Sequence, residues 1–385
     1  MKFTPEHEQI ADTVRKFVAN EVNPHLPEWE AAGQFPAHQV FKKMGDLGLL
    51  GIKYPVEYGG MGLDFSYSMV MAEALGECNC GGVPMAIGVH TDMCTPALAR
   101  FGSDELRRAY LAPAIAGDMV GCLGVSEPGG GSDVAAVTTR ARRVSDAQGE
   151  AWVIDGEKVF ITSGMRADWI TCAVRTQDSK GASGLSMIVV PGDAPGLERR
   201  ELRKMGWWCS DTAHLRFDGV RVPLDHLVGE DGGGFRIIMN NFNGERLAMS
   251  VMALGFAEAC FDEAWAWARQ RRTFGAALIE RQVIRHKLVD MRMRIESTRA
   301  WVDAVTARAD AGDTGADWVA QVCMLKNHAT QTQRDCADQA VQILGGMGFM
   351  HGTVSERIYR EVKVMMIGGG AEEIMKELAA RQLGL

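Results

Sequence analysis

The chain has 385 residues, 41 of them basic and 49 acidic, for a net charge of −8. That length allows a large core divided among two or three domains, and the acidic balance argues against a binder of nucleic-acid backbones. Met1-Lys2-Phe3-Thr4-Pro5 runs straight into a helical pattern without a signal peptide, no apolar run is long enough to span a bilayer, and nine scattered cysteines lack Cys-x-x-Cys spacing. These features predict a cytoplasmic protein with reduced thiols. Cys78 and Cys80 are two residues apart, a poor spacing for a metal knuckle, so no metal site is expected. Twenty-two methionines offer adaptable apolar packing.

Thr4 is a plausible N-cap with Pro5 at the first helical position, and Ile10, Val14, Phe17 and Val18 follow at helical spacing. Further helices are predicted over Pro36–Leu47, Tyr67–Cys78 and Ser103–Ala116, the last opened by Ser103 with Asp104 and Glu105 behind it. The texture changes near Met119. Ala151–Ile154 and Val159–Thr162 read as strands flanking Asp155-Gly156, a hairpin signal. Trp169–Arg175, Leu185–Val190 and Ala213–Phe217 are further strands, and the segment suits a small sandwich or barrel. After Gly232-Gly233-Gly234 come four long helices, Phe235–Gln270, Gln282–Ala311, Asp317–Leu344 and Val354–Met366, which predict an antiparallel bundle. The expected architecture is multi-domain α+β: a helical domain over 1–118, a β-domain over 119–230 and a helix bundle over 231–385.

The segment Gly124-Val125-Ser126-Glu127-Pro128-Gly129-Gly130-Gly131-Ser132-Asp133 concentrates glycines and hydroxyls after an apolar run. Glycine lets backbone approach a ligand closely, and successive N–H groups can cradle oxygens. The segment matches neither a P-loop nor a dinucleotide fingerprint. It resembles the flavin-binding signature of the acyl-CoA dehydrogenases, and the α-domain, β-domain, α-bundle order is that family's architecture. The resemblance covers essentially the whole chain.

The resemblance implies FAD, and it carries over residue by residue. Val125, Ser126, Gly131 and Ser132 fall in the first flavin loop. Phe160, Ile161 and Thr162 fall in the second, where an aromatic ring flanks the isoalloxazine and a hydroxyl reaches its N5 edge. Arg271, Thr273 and Phe274 match a segment that holds the pyrophosphate of a neighbouring subunit's FAD, and Gln282 matches another contact. The arginine fork suits that task. Gln342, Ile343, Leu344, Gly345 and Gly346 resemble the adenine-side loop. Ala371 and Glu373 lie in the last cofactor loop, where Ala371 lacks the family's usual hydroxyl.

The family's reaction requires a carboxylate at the substrate's α-carbon, in an apolar pocket that strengthens it as a base. Many relatives carry this glutamate in the last active-site loop, where this chain has Gly369. The long-chain and isovaleryl types place it on a bundle helix in a Glu-Arg-Leu segment, and here Glu245-Arg246-Leu247 stands at that place. Glu245 is therefore expected to be the base. Glu372 and Glu373 sit where acidic residues favour a helix start, and are not expected to act as bases. Ser132, Phe242, Asn243, Arg246 and Gly370 match substrate-side positions. Gly369 and Gly370 are expected to offer a backbone N–H to the thioester oxygen and to leave space for a β-methyl branch. Cys80–Pro84 and Gly368–Glu373 are similar to the citronellyl-CoA dehydrogenase subgroup.

The implied protein is an FAD-dependent acyl-CoA dehydrogenase, a homotetramer passing electrons to an electron-transfer flavoprotein. Two other readings keep the fold: a flavin oxidase or monooxygenase, separated by reoxidation in air, and a non-enzymatic scaffold, separated by a colourless preparation.

Overall fold

In the computed structural model, which describes residues 4–179 and 181–385, the amide of Thr4 donates to His7 Nδ1 at 3.2 Å and opens α1 (Pro5–Phe17). The N-terminal layer continues with α2 (Leu26–Ala32), α3 (Ala37–Asp46), α4 (Phe65–Ala74), α5 (Gly82–Gly88), α6 (Thr95–Phe101), α7 (Asp104–Leu106) and α8 (Ala112–Ile115). Ser103 caps α7 by accepting from the Leu106 amide, as its sequence context predicts. The single helix expected over Ser103–Ala116 is instead interrupted by a π turn at Arg107–Leu111. Pro113 has no amide hydrogen to donate to the turn before it, and that turn widens.

The middle region holds β1 (Gly121–Gly124), β2 (Arg140–Asp146), β3 (Gly149–Thr162), β4 (Trp169–Arg175), β5 (Leu185–Pro191), β6 (Leu197–Glu201), β7 (Thr212–Val222) and β8 (Leu227–Val228). The strand order is β6-β7-β3-β2-β4-β5-β8, with β1 parallel to β4. β2 and β4 pair only through Arg140 and Arg175. The two halves meet over a core that includes Ile154, Ile170, Ile188, Leu215 and Phe217.

The hairpin expected at Asp155-Gly156 does not exist: β3 runs straight through it. β3 is hydrogen-bonded to β2 on one side and β7 on the other, so both short apolar runs belong to one central strand. Gly156 instead forms a bulge at φ +145°, where a Cβ would meet Thr139 Cα at 2.7 Å. The actual turn lies at Ala147-Gln148, where Asp146 accepts from the Gln148 amide.

The C-terminal bundle comprises α9 (Gly234–Gln270), α10 (Gln282–Asp310), α11 (Ala316–Leu344), α12 (Val354–Ile367) and α13 (Glu372–Leu383). A short ribbon of β9 (Arg272–Thr273) and β10 (Ala276–Ala277) joins α9 to α10. Met252, Leu254, Phe256, Ile295, Val322, Leu325 and Ile358 contribute to its core. No described helix is long and apolar enough to cross a membrane.

Candidate active site

Every residue of α9 from Glu245 to Ala257 is buried, because the helix is wrapped by the N-terminal layer and the rest of the bundle. A helix apolar all round belongs inside a protein, and Glu245 puts a carboxyl group into that surrounding. It is 5 % exposed, and among the described residues its Oε2 has no hydrogen-bond partner. Burial pushes its acid up to about 7; Arg246 and Lys326 oppose the shift and Asp92 adds to it.

The Gly368–Ala371 turn closes over this carboxyl group. Arg246 Nε donates to the Gly369 carbonyl at 3.0 Å, and Lys326 Nζ donates to the Gly370 carbonyl at 2.8 Å. Burial holds the Lys326 ammonium down at about 8. Among the described residues no hydrogen bond leaves the amides of Gly369 or Gly370. Gly369 sits at φ +67°, and a Cβ there would lie 3.4 Å from Glu245 Oε1 and 2.8 Å from Met249 Sδ. The two base positions, far apart in sequence, therefore converge on one point, and the space expected beside Gly369 is already taken by Met249 and Glu245.

Arg246 also reaches Asn243 Oδ1 at 3.5 Å and stacks over the Phe242 ring at 5.2 Å. Phe242 lines an apolar recess with Met93, Leu123, Val125, Met187 and Ile238. That recess joins the helix carrying Glu245 to the start of the Gly-rich loop.

The two loops expected to meet a flavin are tied together. The Val159 amide donates to the Ser126 carbonyl at 2.9 Å. Glu127 accepts from Lys158 Nζ at 2.8 Å, from the Thr138 amide at 2.7 Å and from the Thr139 amide at 2.9 Å, and Lys158 also donates to the Val125 carbonyl. Burial opposes the Glu127 charge, but Lys158 and the threonine hydroxyls outweigh it and hold the acid down at about 2. Ser126 and Thr162 are half-buried, Ile161 is buried, and Gly131 and Ser132 are exposed. Phe160 occupies the β3 bulge between Lys158 and Ile161 at φ +62°, with its ring 72 % exposed. A bulky residue at positive φ is strained, and the surrounding strand pairing must hold it there.

The remaining expected cofactor residues lie elsewhere on the chain. Arg271 caps the C-terminus of α9, Thr273 and Phe274 belong to the β9–β10 ribbon, and Gln282 opens α10. Phe274 is 99 % exposed. The side chains of Arg271, Gln282 and Gln342 are exposed and make no hydrogen bond among the described residues. Ile343 and Leu344 are buried in the bundle core, while Gly345 and Gly346 are exposed beyond it. Ala371 precedes α13, and Glu373 is exposed in its first turn. Glu372 accepts from Gln331 Nε2, and its carbonyl accepts from Asn327, so it faces α11.

Sequence reasoning assigned no role to Glu127, Lys158, Lys326 or Met249. A lysine among the apolar residues of a central strand was the available sign for Lys158. Nothing in α11 distinguishes Lys326 before the chain is folded.

The acyl-CoA dehydrogenase N-terminal, middle and C-terminal domain models match residues 4–118, 122–220 and 232–384. The mouse mitochondrial long-chain specific acyl-CoA dehydrogenase is 36 % identical, the match covering 99 % of this chain and 87 % of the relative. The crystal structure of an acyl-CoA dehydrogenase from Geobacillus kaustophilus superposes with a TM-score of 0.94 at 34 % identity, covering 100 % of this chain and 99 % of that one. A Mycobacterium smegmatis glutaryl-CoA dehydrogenase in complex with FADH2 superposes with a TM-score of 0.91 at 26 % identity, covering 99 % of this chain and 95 % of that one.

Proposed function

Because the chain belongs to the acyl-CoA dehydrogenase family, we propose that it is an FAD-dependent dehydrogenase in which Glu245 removes the α-proton of an acyl-CoA thioester. It is an oxidoreductase acting on a CH–CH bond. The observation that carries the assignment is the unpartnered Glu245 Oε2 in an apolar enclosure, on the point that a side chain at position 369 would occupy.

The residues present fit a flavin. Phe160 offers a solvent-facing ring on a strained bulge, and the Glu127–Lys158 pair fixes the two loops that flank it. Ser126, Gly131, Ser132, Ile161 and Thr162 would hold the same face. When bound, FAD supplies the acceptor for the hydride leaving the substrate β-carbon. The chain's own residues do the rest. Glu245 takes the α-proton as its acid titrates near neutrality. Arg246 and Lys326 hold the carbonyls of Gly369 and Gly370, leaving those amides free to donate to the thioester oxygen as negative charge develops there. Phe242 and the apolar side chains beside it, Met93, Val125 and Ile238, would shield the acyl chain from water.

For the substrate we propose a medium, long or β-branched acyl chain of the citronellyl kind. A β-methyl group would displace the Met249 thioether, which is flexible enough to yield. Arg246 would face the CoA side, with Ser132 and Asn243 as further substrate contacts. The exposed Phe274, with Arg271 and Gln282, supports a homotetramer in which these residues complete a neighbour's cofactor site. Gln342, Gly345 and Gly346 would act on the adenine side, Ile343 and Leu344 through their backbone, and Ala371 and Glu373 at the last loop. An electron-transfer flavoprotein is the proposed acceptor and the cytoplasm the proposed location. The division over 1–118, 119–230 and 231–385 gives substrate enclosure to the helical parts and flavin contact to the β-domain. The test is an anaerobic panel of acyl-CoA thioesters added to the yellow protein. Bleaching by medium, long or β-branched chains is expected. Bleaching by none, or by short straight chains alone, overturns the substrate proposal.

A further inference from the structure

Cys78 and Cys80 follow α4, Cys209 lies in the connection from β6 to β7, and Glu30 is on α2. The fold brings these three segments together. Cys80 Sγ stands 3.7 Å from Cys209 Sγ, across 129 residues of chain, and 3.9 Å from Cys78 Sγ. One donor atom from each of Glu30, Cys80 and Cys209 lies within 4.8 Å of the other two. All three thiols are buried. A tetrahedral centre with metal–sulfur bonds of about 2.3 Å has sulfur–sulfur edges of about 3.8 Å, the spacing found for both pairs.

Glu30 provides an independent observation. Its Oε1 accepts from the Cys209 amide at 3.1 Å, while its Oε2 is buried with no hydrogen-bond partner among the described residues. A buried carboxylate oxygen without a donor is costly unless a cation or proton completes it. The backbone of the two cysteine loops is clamped by one further side chain. Glu361 Oε2 accepts from the Gly81 amide at 2.7 Å and its Oε1 from the Trp207 amide at 2.9 Å. Arg357 Nη1 donates to the Asn79 carbonyl, between Cys78 and Cys80, and sets a positive charge beside the donors. Such outer contacts orient metal ligands. Glu30 itself is only partly buried, so the cluster lies one side chain from solvent.

We propose that Cys80, Cys209 and Glu30, with Cys78 turning in as the fourth donor, bind a zinc-type divalent cation. Sulfur-rich donors in tetrahedral array select that class. Binding displaces the thiol protons to solvent and leaves no redox change. The expectation from sequence that no metal site exists rested on the short Cys78–Cys80 spacing, and Cys209 is the partner that spacing did not reveal. A Cys80–Cys209 disulfide would engage only two of the four groups and leave Glu30 Oε2 unpartnered.

The test uses the reduced, flavin-loaded protein after chelator treatment and buffer exchange. Titrated zinc is expected to bind at one equivalent per chain and raise the thermal midpoint. Cobalt is expected to give absorption bands in the red, clear of the flavin, with intensity typical of a tetrahedral thiolate site. Cys80→Ser and Cys209→Ser should each abolish stoichiometric binding, Glu30→Gln should weaken it, and Cys172→Ser, a buried thiol in the β-domain core, should leave it intact. If the serine variants fail to fold, the cobalt spectrum and zinc stoichiometry of the unaltered protein decide. Substoichiometric zinc with no red bands overturns the proposal. So does one retained equivalent in folded Cys80→Ser, or a Cys80–Cys209 disulfide as the resting form.

Discussion

Glu245→Gln separates the chemistry of the carboxyl group from its shape. The amide is nearly isosteric, so the enclosure formed by Met249, Arg246 and the Gly368–Ala371 turn should persist. A carboxyl raised from 4.5 to about 7 means that ionised Glu245 costs about 3 kcal/mol of folding stability. The sign follows from proton counts. Between pH 4.5 and 7 the native state holds a proton that the unfolded chain has released, so this contribution to stability falls as pH rises through the window. Above about 7 the penalty is complete, and near pH 4.5 it vanishes. Glutamine never ionises, so the variant should unfold several degrees higher than the parent at pH 8 and at nearly the same temperature at pH 5. Its anaerobic bleaching by an active acyl-CoA should slow by about 10²–10⁴-fold or more. In the parent, kcat/KM should rise with pH through about 7 as the base ionises. Bleaching near the parent rate would remove Glu245 from the reaction. A thermal difference independent of pH would show that the carboxyl group is not held protonated by its surroundings.

Lys158→Met strips the cation from Glu127, and loss of one partner of a buried pair costs about 3–5 kcal/mol; denaturant unfolding should show it, with weaker flavin retention, and unchanged stability would refute the role of the pair. Because the Glu127 acid is held at about 2, its stabilisation is present above its ordinary range and lost as pH falls towards 2, so the parent should show an acid-labile step there in flavin release. Gly369→Ala places a Cβ against Met249 Sδ at positive φ, a strain of about 1–3 kcal/mol; a lower unfolding midpoint and slower bleaching are expected, and a neutral result would refute the close approach. Glu372→Gln should change bleaching by less than about threefold, since substitutions away from the enclosure shift energies by about 0.5 kcal/mol; loss of activity would move the base to the start of α13.

Local signals carried much of the fold. Strand β4 lies at Trp169–Arg175 as its composition predicts, and α9, α10, α11 and α12 begin and end within one residue of their predicted limits. Caps, helical periodicity and Gly-rich joints act over a few residues, so one stretch of sequence suffices to read them. The same local reading failed at Asp155-Gly156, because hydrogen bonds from β2 and β7 on both sides outweigh a turn preference. It failed again over Ser103–Ala116, where Pro113 breaks the helical ladder from within. The family's motifs made Glu245 and the flavin loops legible as positions. Their mutual geometry was not legible, because residues far apart in the chain meet only when helices and sheet pack. Tertiary structure alone put Gly369 against the Glu245 carboxyl group, buried Lys158 beneath Glu127, set Lys326 on the Gly370 carbonyl, and gathered Cys80, Cys209 and Glu30 into one cluster with Cys78 beside Cys80. Each depends on which side chains share the interior, and burial then sets their chemistry.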